Sequence, residues 1–117
     1  MGQLRNNFIF DATFLKAVDG DTVDLEVDLG FNTFKRMRFR LKGVNTPERG
    51  QPGYKEATDF VREWFETHNF TCLVDSKKAG KYGRWLAICY VPALSQMGGK
   101  IVLNEQLLET GHAVRYE

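Results

Sequence analysis

The sequence predicts an α+β fold that is mainly β: a five-stranded Greek-key barrel with one helix inserted before the fourth strand and a second near the C-terminus. Three observations carry that expectation. Short stretches in which apolar and polar residues alternate are separated by turns rich in Gly, Asp and Asn. Between the third and fourth stretches, Ala57, Phe60, Val61, Trp64 and Phe65 fall at i, i+3, i+4, i+7 and i+8, one apolar stripe at helical spacing. The 117 residues hold no repeat, low-complexity tract or linker, which suits one domain over 1–117.

Residues 8–18 read as the first strand. Asp19-Gly-Asp-Thr22 interrupts it as a tight turn, with Gly20 able to take a positive φ. Residues 23–27 alternate apolar with acidic side chains, as a half-buried strand does. A hairpin turn over 28–32 leads into a strand over 33–41, with Met37, Phe39 and Leu41 on one face and Arg36, Arg38 and Arg40 on the other. That strand must stop before Pro47, which has no N–H for a ladder. After a loop at 49–53 comes the helix over 54–67, and His68 is expected as a solvated or capping residue at its end. Residues 70–75 read as a strand, 76–84 as a basic, glycine-containing turn, and 85–91 as the next strand. A loose loop over 92–99, a short extended piece at 101–102 and a helix over 103–110 follow, with Gly111 closing that helix. Residues 113–116 can add a final strand segment. This order is compatible with the OB-fold, although composition alone leaves other α+β arrangements open.

Lys plus Arg number 16 and Asp plus Glu 15, a net charge of +1, so any nucleic-acid role must rest on local patches. At 43% hydrophobic and 13% aromatic the chain can fill a modest core. No apolar run reaches the roughly 18 residues a membrane-spanning helix needs. The N-terminus lacks the apolar core of a secretory signal, and Asn6 stands where myristoylation wants Ser or Thr. The expectation is a monomer without a membrane partner, either staying where it is made or with its leader removed. Cys72 and Cys89 lie in strand-like segments and read as buried small hydrophobes, and without a CxxC or Cys/His cluster zinc is not expected.

The chemistry concentrates in residues 40–48. Arg40 ends a strand, and the turn after it carries Asn45, the Thr46 hydroxyl and carbonyl, and Glu48. A fixed cation, an oxygen-rich turn and a carboxylate together suit metal-assisted attack on a phosphate. Lys77 and Lys78, with Arg36 and Arg38, are candidate phosphate contacts for nucleic acid. Each feature also has an ordinary reading. Asp-Gly-Asp-Thr is a good turn without any chemistry, Glu48 can be a surface carboxylate, and Lys77, Lys78 and Lys81 a solubilising loop. Arg36 and Arg38 stand evenly between a nucleic-acid track and a solvated face.

Taken together, Val18-Asp-Gly-Asp-Thr-Val23, Phe39-Arg-Leu with Val44-Asn-Thr-Pro-Glu48, Lys81-Tyr-Gly-Arg84, and Leu103-Asn-Glu with Thr110-Gly-His-Ala113 resemble the staphylococcal nuclease (thermonuclease) family. The resemblance spans residues 12–115, in order and at matching separations. It implies an OB-fold with added helices and a calcium-dependent nuclease acting on DNA and RNA to leave 3′-phosphates. By the same resemblance Asp21 is a direct calcium ligand, Asp19 sits just beyond the ligands, and Thr46 offers the metal its backbone carbonyl. Arg40 and Arg84 grip the phosphate under attack, Glu48 is the general base, and Lys81 and Tyr82 contact a terminal phosphate. Chemistry agrees: water must lose a proton, which Glu48 can take, and the phosphorane charge must be offset, which two bidentate arginines and a hard cation can do.

The departures are specific. Asn45 replaces the family's second metal-binding aspartate, so Asp21, Asn45 and Thr46 form a ligand set with one charge fewer, and another divalent ion can substitute for calcium. The hairpin before Arg40 is longer, the loop after Glu48 shorter, and Trp85 replaces a glycine; it is read as an edge-strand aromatic in preference to a stacking platform. The alternative reading is a nuclease-like module without catalysis that holds nucleic acid or protein. The full set Arg40, Glu48 and Arg84 favours the enzyme.

Overall fold

The long strand β1 (Ile9–Asp19) is the element on which the barrel closes. A computed structural model describes residues 9–78, 84–94 and 97–116. Over Ala12–Asp19, β1 pairs antiparallel with β2 (Thr22–Asp28), and over Ile9–Thr13 with β5 (Thr71–Lys78). Two register irregularities in β1, between Phe14 and Lys16 and between Ala17 and Asp19, bend it so that one strand can serve both neighbours. β3 (Phe34–Leu41) pairs with β2, and β6 (Trp85–Pro92) with β5. Parallel pairing of Phe39, Arg40 and Leu41 with Trp85, Leu86 and Ala87 then joins β3 to β6 and closes the ring. The result is the five-stranded OB-fold barrel, with β7 (Lys100–Val102) added beyond β6. A separate two-stranded piece joins β4 (Val44–Asn45) to β8 (Val114–Arg115).

Alternation decides what fills the barrel. Val23, Leu25 and Val27 of β2, Phe39 and Leu41 of β3, Val74 of β5 and Ala87 and Cys89 of β6 all point inward and are buried. Helix α1 (Tyr54–Thr67) has the bounds its stripe predicts and buries Ala57, Val61, Trp64 and Phe65. Phe65 stacks on Phe14 of β1 with ring centroids 4.4 Å apart, and the Trp64 indole donates to Gln106 Oε1 of α2 (Leu103–Glu109) at 2.7 Å. Gly53 precedes α1 at φ 91°, a conformation that suits glycine, which turns the chain sharply into the helix. His68 caps its other end, and the His68 Nδ1 lies 2.7 Å from the Trp64 carbonyl oxygen. Buried Asn104 ties α2 to the barrel: its Nδ2 donates to the carbonyls of Lys42 and Ala87, and its Oδ1 accepts from the Cys89 N–H. Cys72 and Cys89 are buried free thiols, and the hydrogen bond with Cys72, then burial, push the Cys89 thiol well above its ordinary range.

Two expectations need correction. The fourth barrel strand runs on to Lys78 instead of ending at 75, because its backbone ladder with β6 continues through Lys77–Leu86 and Lys78–Trp85 whatever the polarity of the side chains. Trp85 is not on an edge strand, since β6 is paired on both sides there, with Lys78 and with Phe39. No helix of the described residues is long and apolar enough to cross a membrane.

Candidate active site

The β1–β2 turn and the segment after β3 meet at one end of the barrel, against α1. Gly20 makes the meeting possible. A Cβ there would lie 2.8 Å from the Ala57 Cβ and 2.9 Å from the Thr46 Oγ1, so only glycine lets the turn approach. Its φ is not positive, so the freedom glycine has there is not used: close approach, and not a left-handed backbone, is what this glycine provides. Gly20→Ala is therefore expected to cost about 1–3 kcal/mol through overpacking, read as a lower denaturant midpoint. An unchanged midpoint would mean the turn has room to relax.

Asp21 is buried in that turn. Its Oδ2 accepts from the Thr46 N–H and its Oδ1 from the Thr22 hydroxyl, both at 3.1 Å. Leu41 N–H donates to the Asp21 carbonyl at 2.8 Å, stitching the turn to the end of β3. Arg40 Nη1 lies 3.6 Å from Asp21 Oδ2, with the two side chains only 13% and 11% exposed. Nη1 also donates to the carbonyls of Val44 at 2.8 Å and Leu41 at 3.3 Å, and Nη2 to the Asn45 Oδ1 at 3.3 Å. A guanidinium has about five N–H donors. The Nε–H and one Nη2–H of Arg40 therefore keep no protein acceptor among the described residues. The Tyr116 ring lies against the same guanidinium, 4.9 Å from its Cζ.

Glu48 stands on the outer side of this cluster. It is exposed, and among the described residues its carboxylate has no partner, while its backbone N–H donates to Gln51 Oε1 at 3.0 Å and its carbonyl accepts from the Gln51 N–H at 2.9 Å. Gln51 thus shapes the loop that presents the carboxylate. Asn45, Thr46, Pro47 and Glu48 form one wall of a cleft of about 670 Å³ whose other wall is Gly111–Val114. The structure thus gathers Asp21, Arg40, Asn45 and Thr46 into contact and sets Glu48 on the cleft that Asn45 and Thr46 also line.

The other candidates are more dispersed. Arg84 is exposed and precedes β6 by one residue, near the level where Leu86 pairs with Arg40. Asp19 ends β1 and is half-buried; the hydrogen bond to Asp24, and to a lesser degree the Asp19 charge, raise the Arg38 pKa. Arg36 and Arg38 face carboxylates across the β2–β3 ladder. Arg38 forms a two-pronged pair with Asp24 at 2.8 and 3.1 Å, and Arg36 lies 3.6 Å from Glu26. The Arg38 hydrogen bond holds the Asp24 carboxyl below the usual carboxylate range. Lys77 lies 3.4 Å from Asp75, and Lys78 ends β5. Lys81 and Tyr82 lie outside the described residues. Sequence reasoning missed Tyr116 and Gln51. The aromatic at the end of the 113–116 segment was the only signal for the first, and nothing local marked the second.

The oxygen donors suited to a hard cation are the Asp21 carboxylate, the Asn45 amide oxygen and the Thr46 carbonyl, with the Thr46 Oγ1 buried and, among the described residues, without a hydrogen-bond partner. Among the described residues no three His, Cys, Asp or Glu side chains converge as a metal cluster. The donor chemistry fits a divalent cation such as calcium, but with one carboxylate already facing Arg40 the charge offered is low.

A family model described as staphylococcal nuclease homologue matches residues 38–117. The chain is 30% identical over 105 residues to a thermonuclease of Staphylococcus hyicus, covering 85% of this chain and 55% of that protein. It is 32% identical over 127 aligned positions to an uncharacterised protein of Methanocaldococcus jannaschii, covering 87% and 57%. The chain spans about half the length of these curated relatives.

Proposed function

The chain belongs to the staphylococcal nuclease homologue family, and from that premise we propose that it is a metal-dependent endonuclease hydrolysing phosphodiester bonds of DNA or RNA. The observation that carries the proposal is the state of Arg40. It is withdrawn from solvent and held by three protein oxygens and a carboxylate, yet two of its N–H donors have no acceptor among the described residues. Asn45, which it bonds, lines the cleft that Glu48 flanks.

In this reading Glu48 takes the proton of the attacking water. The two spare donors of Arg40, joined by Arg84, meet the charge that builds on the phosphoryl oxygens. Asp21 cannot swing away, because Thr46 N–H and the Thr22 hydroxyl hold both of its oxygens. When bound, a divalent cation, calcium in the first place, would be held by Asp21, Asn45 and Thr46 and would offset further charge. Arg36, Arg38 and Lys77 each face a carboxylate of their own, which lowers what they add to nucleic-acid affinity; Lys81 and Tyr82 enter by family position alone.

The test is incubation with single- and double-stranded DNA and with RNA, with calcium and with a chelator. Cleavage is expected only with the cation. Asn45→Asp adds a negative ligand of the same reach and is expected to lower the calcium needed for half-maximal cleavage. The low charge around Asp21 favours a second reading, a module that binds nucleic acid or protein without cutting. That reading wins if neither protein cuts with any divalent ion and Asn45→Asp binds calcium no better.

A further inference from the structure

Strand β8 adds little to the core. Val114, Arg115 and Tyr116 are all exposed, Tyr116 at 54%. Yet its backbone is pinned, by pairing with Val44 and Asn45 and by the Tyr116 N–H on the Gly43 carbonyl at 2.9 Å. The segment that β8 grips is the one that holds Arg40, and the gripping delivers the Tyr116 ring to within 4.9 Å of the guanidinium carbon. We propose that Tyr116 is a positioning residue: its ring sets the plane of the Arg40 guanidinium so that the two unspent N–H donors stay aimed as a fork at a phosphate. This rests on the reading that Arg40 grips a phosphate.

The physical case is one of spending. Each carbonyl or carboxylate that orients Arg40 uses a donor or dilutes the charge, and three donors are already used. An aromatic ring attracts the guanidinium through its π face and leaves the edge donors untouched. Bidentate contact with phosphate needs that edge at a defined tilt, because a hydrogen bond weakens steeply once misaligned. The phenol hydroxyl plays no part in this account, so the ring alone should suffice.

The experiment compares Tyr116→Ala and Tyr116→Phe with the wild-type protein. Tyr116→Ala is expected to lower kcat about tenfold, the size of a well-placed cation–π contact, with KM within about twofold. Tyr116→Phe should recover the rate, and Tyr116→Ala should cost nothing further when Arg40 is already Ala. A second readout does not need catalysis. The Arg40 Nε–H resonance should carry a ring-current shift that Tyr116→Phe keeps and Tyr116→Ala loses. An Arg40 signal unmoved by Tyr116→Ala overturns the proposal, as do equal rate losses in the two variants. A wild-type protein that cuts no nucleic acid, but whose Arg40 signal follows the ring, overturns the nuclease reading and supports the positioning role.

Discussion

Glu48→Gln is expected to leave the fold and nucleic-acid binding near those of the wild type while removing most turnover. The side chain is exposed and its carboxylate makes no hydrogen bond or ion pair among the described residues, so the isosteric amide breaks no such contact. The loop around it is held from the backbone, by Gln51 on the Glu48 N–H and carbonyl, and neither bond involves the group being changed. What is lost is a proton acceptor. A positioned general base contributes about 10²- to 10⁴-fold, and kcat should fall by at least that range at saturating substrate and calcium. Because the amide is neutral, repulsion of the anionic substrate drops slightly, and KM should hold or fall. Turnover within tenfold of the wild type would mean that another group takes the proton.

Much of the barrel is legible in the chain, and the reasons differ by element. Helix α1 is readable to the residue because its stripe is long and its neighbours on both sides are turn formers. The end of β5 is not, because Ser76, Lys77 and Lys78 look like a turn while their backbones continue a ladder that only the partner strand reveals. The meeting of Asp21 with Arg40 and Thr46 follows from two polar turns at the ends of paired strands, Thr22 standing opposite Arg40. The pairing of Arg38 with Asp24 and Arg36 with Glu26 is a matter of register, which one residue of slip would undo, so alternation alone leaves those arginines open. The role of Gly20 is hidden for a similar reason: its motif speaks of backbone freedom, while the constraint comes from Ala57, well over thirty positions away in sequence. Tyr116 reaches Arg40 only through β8, a two-residue strand too short to announce itself.

Arg40→Ala is expected to have two effects of opposite sign, and together they separate its roles. The first is a loss of rate. If its spare donors meet charge that develops only as the phosphorane forms, kcat should fall about 10²- to 10³-fold, as when a single donor to a developing oxyanion is removed. The second concerns the cation. Arg40 lies 3.6 Å from Asp21 Oδ2 in a site only about one-tenth exposed, where its positive charge competes with a divalent ion for the same carboxylate. Removing it should tighten calcium binding, measured by calorimetry, even as the enzyme slows. The variant should also be less stable, on the order of 1–3 kcal/mol, since the carbonyls of Val44 and Leu41 lose their donor and Asp21 its cation. Saturating calcium should restore part of that stability by mass action, because the ion binds the folded form. A higher KM with kcat unchanged would reduce Arg40 to a substrate tether. Weaker calcium binding in the variant would show that Arg40 holds Asp21 and Asn45 in place for the ion and does not compete with it.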